Sequence, residues 1–288
     1  MKTLTIRLLY VFLLSGVLFS CEKESAIPGE DTETGTSTTS PVTKPKLDVA
    51  ETQPPVEVAV TADITSNCGG YFKALPARYD ATTKKYPLLI FIHGQSALGT
   101  GSADDLKKVA GGPHGMLKKK QFPPSFTVGK ENFSFIVISP QFKTWPTADD
   151  VDAVVKYFSS KLRIDPTRIY VTGLSMGGGV TWDYAGKYAS KIAAIVPVCG
   201  ASSTTNAKAK VMVNNNLPVW AFHNEGDPTV SVNNTLGYID MLNSMKINPK
   251  AKKSIFPEAS HDAWTTAYSV TYKENKMNMY EWMLQYHQ

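Results

Sequence analysis

Cysteine and histidine are scarce in this chain, three and five residues among 288. No two cysteines stand at the short spacing that zinc ligands adopt, so a structural zinc module is excluded. Long apolar runs are missing as well. The one near the N-terminus, Leu8 to Phe19, falls well short of the ~20 residues that span a bilayer. Concentrated charge of one sign is the third absence. The net charge is +5, yet the lysines are scattered, and the single cluster, Lys118-Lys119-Lys120, reads as the solvated end of a short helix. Nothing here suits nucleic-acid binding.

What is present begins with a leader. Lys2 and Arg7 are followed by the apolar run, which closes on Leu18-Phe19-Ser20-Cys21. A basic start, a short apolar stretch and a small-residue ending make a signal peptide. The ending resembles the lipobox of bacterial lipoproteins, in which the cysteine becomes the lipidated first residue, although Phe19 is bulkier than the residue usual there. Residues 1–20 are therefore expected to be a lipoprotein signal peptide and Cys21 the lipidation site. An ordinary cleaved signal followed by an incidental cysteine is the alternative. Both place the protein outside the cytoplasm, lipid-anchored in the cell envelope or secreted. From Glu22 to Gln53 the chain turns to Thr, Ser, Pro, Gly and acid. Such a composition buries too little apolar area to offset its chain entropy, so residues 21–55 are expected to form a disordered tether. Its acids outnumber its lysines, which leaves residues 56–288 basic, at about +7.

At 42% hydrophobic content, residues 56–288 are ample for one domain with a large core. Val56, Val58 and Val60 alternate with other residues as in a half-buried strand. Gly69-Gly70 reads as a turn, and Tyr71 to Pro76 as a second strand. Pro87 to Ile92 and Phe133 to Ser139 are unbroken apolar runs, which suit central strands covered on both faces. Thr147 opens a helix with Asp150 three residues on, and Val151, Val154, Val155, Phe158 and Leu162 give that helix one apolar face. Further strands are read at Ile192–Val198, Pro218–His223 and Lys253–Phe256, with helices at 232–245 and 277–286. Residues 200–217 read as a polar loop too short to be a substantial lid. Strands alternating with helices define an α/β class with a mostly parallel sheet.

The segment Arg168 to Asp183 carries the chemistry. Ile169–Thr172 is a β-branched strand, Gly173-Leu-Ser175-Met-Gly177 a sharp turn, and the residues after it a helix. Strand, Gly-x-Ser-x-Gly and helix make a nucleophile elbow, the device that exposes a serine hydroxyl above the sheet in α/β-hydrolases. Ser175 is the candidate nucleophile. Asp227 follows the strand ending at His223, and His261 follows the strand ending at Phe256. Serine, acid and histidine thus come in the chain order of that fold. Glu225 and Asp262 compete with Asp227 for the acid; Gly226 and Pro228 favour Asp227 by supplying its turn, whereas Asp262 adjoins His261 on an extended segment. His93 and His223 lie inside or at the end of strands and read as buried structural residues; His114 reads as a loop histidine with no acid nearby. The oxyanion hole is assigned to the backbone N–H of Met176 and that of Gln95, with Ser96 as the alternative to Gln95. Trp145 and Trp264 sit beyond strand ends on the same side and are candidates for the walls of a substrate cleft or for caps on the core. Cys68 and Cys199 are expected to be free thiols rather than a bridge.

Three segments, Tyr86-Pro-Leu-Leu-Ile-Phe-Ile-His-Gly94, Arg168-Ile-Tyr-Val-Thr-Gly-Leu-Ser-Met-Gly-Gly178 with Thr181-Trp-Asp183, and His261-Asp-Ala-Trp-Thr-Thr-Ala-Tyr268, carry a family resemblance. They resemble the phospholipase/carboxylesterase group of α/β-hydrolases. Within that group they are similar to secreted "predicted peptidase" esterases related to feruloyl and acetyl-xylan esterases and polyhydroxybutyrate depolymerases. The resemblance covers about residues 69–288 and departs at His223-Asn224-Glu225, where such proteins have His-Gly. It implies an α/β-hydrolase fold with little or no lid and a serine carboxylesterase acting on small or polysaccharide-linked esters, with no metal or organic cofactor. The partners expected are the ester substrate and, through Cys21, a membrane; a monomer is expected. The rival readings are a serine peptidase on the same triad and an inactive surface-binding hydrolase fold.

Overall fold

The computed structural model describes residues 50–288. The leader, Cys21 and most of the tether therefore lie outside the described residues. The last stretch assigned to the tether is tied down: Glu51 is buried, its carboxylate accepts the Arg78 N–H at 3.3 Å, and its carbonyl accepts the Ser125 hydroxyl at 3.2 Å. Among the described residues no helix is long and apolar enough to cross a membrane.

Among the described residues ten strands and eight α-helices follow one another: β1 (Val56–Thr65), β2 (Cys68–Leu75), β3 (Tyr86–Ile92), α1 (Ala103–Leu106), α2 (Gly112–Lys118), β4 (Phe126–Val128), β5 (Glu131–Phe133), β6 (Ile136–Phe142), α3 (Ala148–Lys161), β7 (Ile164–Leu174), α4 (Met176–Tyr188), β8 (Ala194–Val198), α5 (Asn206–Asn214), β9 (Trp220–Asn224), α6 (Asn233–Ser244), β10 (Lys252–Phe256), α7 (Trp264–Ala267) and α8 (Met279–Leu284). Strands β4 and β5 form a small hairpin. The other eight make one sheet in the order β1-β2-β6-β3-β7-β8-β9-β10. Only β2 runs against its neighbours; every other adjacent pair is parallel.

The unbroken apolar run of β3 has a simple cause. Leu88, Ile90 and Ile92 point into one core with α3 and α4, while Leu89 and Phe91 point into a second core with α2 and α8. Successive side chains of a strand face opposite ways, so a strand covered on both faces must be apolar at every position. Each such side chain contributes about 1.5–3 kcal/mol by its burial. Helix α3 starts as its sequence requires: Thr147 accepts the Asp150 N–H and the Asp150 carboxylate accepts the Thr147 N–H, a complete capping box. Val151, Val154, Val155 and Phe158 are its buried stripe.

Four local readings change. The alternation in β1 is real, but Val56 and Val58 are 63% and 42% exposed, and only Val60, Ala62 and Ile64 reach the core. Strand β1 is the sheet edge, with a neighbouring strand on one side alone. Gly69 and Gly70 do not turn the chain; they lie inside β2. They are glycine because the loop after β3 crosses them: a Cβ on Gly69 would stand 2.1 Å from the Thr100 carbonyl oxygen, and one on Gly70 2.5 Å from that of Gly101. The polar stretch 200–217 contains α5, whose Ala209 and Met212 are buried with α4 residues in one core. His114 is not a loop residue: it is buried in α2, its Nδ1 lies 3.0 Å from the Glu57 carboxylate, and its ring lies against Phe72. That acid is 57 positions away in the chain, which is why no local pattern announced it.

Candidate active site

Strands β7, β9 and β10 end on one edge of the sheet, and the loops that follow carry Ser175, Asp227 and His261. Ser175 has φ 55° and ψ −118°, a backbone conformation that side chains rarely adopt. Its N–H donates to the Val198 carbonyl at 3.0 Å and its carbonyl accepts from Gly179 and Ala201, so the strained turn is held from both sides. The turn is tight enough that a Cβ on Gly177 would sit 2.0 Å from the Ile92 carbonyl oxygen. Only glycine lets α4 start this close to β3.

The structure brings the three groups together in one line. The Ser175 hydroxyl donates to His261 Nε2 at 2.8 Å, and His261 Nδ1–H donates to Asp227 Oδ2 at 2.6 Å. The Asp227 side chain has no solvent exposure and that of His261 is 19% exposed. The Thr229 and Val230 N–H groups donate to Asp227 Oδ1 at 2.8 and 2.9 Å. Burial works against the Asp227 carboxylate, but the His261 hydrogen bond and these two N–H donors outweigh it and hold its pKa below the usual carboxylate value. The rival acids are placed elsewhere. Glu225 is exposed. Asp262 accepts the N–H and hydroxyl of Thr265 at 2.9 and 2.8 Å.

Two buried histidines brace the site. His93 Nδ1–H donates to the Gly94 carbonyl at 2.8 Å and its Nε2 accepts the Phe142 N–H at 3.1 Å, which fixes the neutral ring. Burial lowers its pKa to about 4, against the Gly94 hydrogen bond. His223 Nε2 faces the Val230 carbonyl at 2.9 Å and Asp227 Oδ2 at 3.3 Å, and Nδ1 accepts the Thr235 hydroxyl at 2.8 Å. Two acceptors at Nε2 place its proton there. Burial likewise lowers its pKa. Asn224, where the resemblance departs, ties the acid loop to the base loop: its amide donates to the Ser260 carbonyl at 2.7 Å and the Ser260 hydroxyl at 3.1 Å, one residue before His261.

Met176 and Gln95 are each the first residue of a helical turn, where the N–H has no intrahelical acceptor. The neighbour of Gln95 is close to the nucleophile: a Cβ on Gly94 would stand 3.7 Å from Ser175 Cβ. Trp264 is partly buried and meets the His261 ring edge-on, with centroids 5.3 Å apart and planes at 89°. Trp145 is 45% exposed beyond β6, and it is Trp264, not Trp145, that lines the groove beside α2.

Cys199, expected from the sequence only as a free thiol, is a neighbour of the site. Cys199 immediately follows β8 on the same edge, with φ 40°, and its thiol lies within 4.8 Å of ligand atoms of both Asp227 and His261. Its strand-end position was the available signal. These three are the one group among the described residues with the spacing of a metal site. The chemistry does not fit an ion: Asp227 and His261 are bonded to each other, and burial pushes the Cys199 thiol up to about 12, which keeps it protonated. Cys68 and Cys199 are both free and buried.

A sheet of this order, with serine, imidazole and carboxylate relayed at its edge, defines a class: serine hydrolases of the α/β-hydrolase fold. The chain belongs to the dienelactone hydrolase family, whose model matches residues 138–286. Over 138 residues it is 27% identical to a bifunctional acetylxylan esterase/xylanase of Neocallimastix patriciarum, covering 44% of this chain and 20% of that protein. The chain thus spans about one fifth of that relative. The fold is shared with a thermostable esterase, at 23% identity and a TM-score of 0.59, over 81% of this chain and 63% of the other. It is also shared with a feruloyl esterase module from Clostridium thermocellum, at 16% identity and a TM-score of 0.51, over 80% and 92%.

Proposed function

We propose that this protein is a serine carboxylesterase that hydrolyses small or polysaccharide-linked carboxylic esters through an acyl-enzyme. The observation that carries the reading is the relay from Ser175 Oγ through His261 to Asp227, at 2.8 and 2.6 Å. His261 Nε2 takes the proton as Ser175 Oγ attacks the ester carbonyl, and Asp227 holds the ring and stabilises the imidazolium. The Met176 and Gln95 N–H groups bind the oxyanion, each lowering the barrier by about 3 kcal/mol. Collapse expels the alcohol, which receives the proton from His261. Water, deprotonated by the same ring, then releases the acid and restores Ser175.

The ester preference, over the peptidase alternative, is supported by the esterase named in the curated relative, acting there on acetylxylan. The test is a substrate panel given to the purified protein: p-nitrophenyl acetate and butyrate, methyl ferulate, acetylated xylan and peptide amides. Ester hydrolysis exceeding peptide hydrolysis by several orders of magnitude is expected; the reverse order makes the protein a peptidase.

The same proposal extends to location. Leu18-Phe19-Ser20-Cys21 supports lipidation at Cys21 and a cell-envelope setting. Cys21→Ser is expected to release the protein from the membrane fraction, and equal retention of the variant refutes the anchor.

A further inference from the structure

Beside the candidate triad lies a groove of about 1030 Å³ between α2 with its flanking loops and the segment that follows His261. It is larger than a small acyl group requires, standing just above the ~300–1,000 Å³ range of ligand pockets. Its walls carry Lys107, Lys118, Lys119 and Gln121 on one side and Trp264 and Thr271 on the other, and no aspartate or glutamate lines it. Lys107 meets Asp104 at 2.6 Å, but the two side chains are 75% and 90% exposed, a pair that solvent keeps weak and exchangeable. Lys118 and Lys119 have no acidic partner among the described residues. Lys118 also sits in the last turn of α2, where a cation complements the helix dipole. That does not account for a lysine on a separate element facing the same concavity.

The groove adjoins the triad through two of the triad's neighbours, although neither Ser175 nor His261 is itself in its lining. Gly111 forms part of its wall, and a Cβ there would lie 3.0 Å from Leu174 Cδ2 and 3.7 Å from Trp264 Cδ1. Leu174 immediately precedes Ser175, and Trp264 touches the His261 ring. We infer that this groove binds an acidic polysaccharide, a sugar chain bearing uronic carboxylates, whose ester is presented to Ser175. The inference rests on the esterase reading above and adds the charge of the substrate. Spaced lysines on flexible stems suit carboxylates scattered along a chain, Trp264 offers an apolar face to a sugar ring, and Gln121 and Thr271 offer partners to hydroxyls. A bilayer is the other anionic partner, but the lysines line a concavity, which admits a chain rather than a flat surface.

Two measurements on the whole protein separate the possibilities. In the first, the charge reversal Lys118→Glu/Lys119→Glu is compared with wild type on p-nitrophenyl acetate, on acetylated xylan without uronic acid and on acetylated glucuronoxylan. The KM for the glucuronoxylan is expected to rise about tenfold at low salt, with the difference shrinking at high salt, while the two uncharged substrates change less than twofold. A glucuronoxylan KM that moves less than twofold, or an equal rise on neutral xylan, overturns the proposal. In the second, binding of deacetylated glucuronoxylan to Ser175→Ala protein is measured with and without the reversal. This arm needs no turnover, so it reports on the groove even if the esterase reading fails. Weaker binding with the reversal supports the inference; unchanged binding refutes it. Loss of binding to phosphatidylglycerol vesicles with glucuronoxylan affinity intact assigns the lysines to a membrane and refutes it too.

Discussion

Replacing Asp227 by asparagine tests the geometry of the site without changing its size. The Thr229 and Val230 N–H groups occupy Oδ1, so the amide oxygen stays there and the NH₂ takes the place of Oδ2. That position faces His261 Nδ1 at 2.6 Å and His223 Nε2 at 3.3 Å. An NH₂ can only donate, so the His261 ring must offer Nδ1 as an acceptor and carry its proton on Nε2. The proton then points at the Ser175 hydroxyl, and the base is lost. A tautomer reversal of this kind lowers kcat about 10⁴-fold, or about 5.5 kcal/mol of barrier. KM on p-nitrophenyl acetate should change little, since Asp227 is fully buried and touches no substrate. Initial rates at pH 7.5, with near-UV circular dichroism to show that the fold is retained, make the assay. Glu225→Gln is the control and should retain wild-type turnover, because that side chain is exposed. A loss below tenfold in Asp227→Asn, or a larger loss in Glu225→Gln, refutes the assignment of the acid.

Further outcomes follow from neighbouring groups. Gln95→Pro removes one N–H at a position that accepts proline, because it is the first residue of a helical turn and Gly94 before it is extended. It should lower kcat about 10²- to 10³-fold with the melting temperature nearly unchanged, whereas Gln95→Ala should be close to neutral. Equal activity of the two variants removes Gln95 from the oxyanion hole. His93 is neutral and buried, with its pKa lowered to about 4 from 6.5. Between those values the unfolded chain binds a proton that the folded one does not, so stability falls as pH falls. This group alone accounts for about 3 kcal/mol across the window. Denaturant unfolding at pH 7 and pH 4.5 should show a shallower acid loss in His93→Gln than in wild type; His223, shifted in the same direction, is common to both proteins and cancels. An unchanged slope contradicts the bracing role of His93.

The parts of this site that could be read from the sequence are those governed by local rules. A parallel sheet collects its strand ends on one edge, so a serine in a tight turn, an acid in a Gly-Pro turn and a histidine after the last strand were placeable from strand order alone. The α3 capping box and the two-sided burial of β3 follow from spacing in the same way. What stayed hidden depends on contacts between distant residues. Gly69 and Gly70 look like a turn until Thr100 and Gly101 are laid across them. His114 meets Glu57, and Cys199 meets Asp227 and His261, only through the packing of separate elements. Asn224 looked like a deviation in the acid loop, yet its amide is what fastens that loop to Ser260. Lys118 and Lys119 read as a solvated helix end because the wall opposite them, built around Trp264, comes from residues well over a hundred positions further on.

The Ser175 hydroxyl, hydrogen-bonded to His261 Nε2, is the proposed nucleophile of a covalent mechanism. Stoichiometric treatment with a fluorophosphonate, followed by intact mass and peptide mapping, addresses it directly. A single adduct on Ser175, absent in Ser175→Ala together with a fall of about 10⁶ in kcat for p-nitrophenyl acetate, is the predicted result. An adduct on any other residue, or turnover that survives in Ser175→Ala, contradicts it.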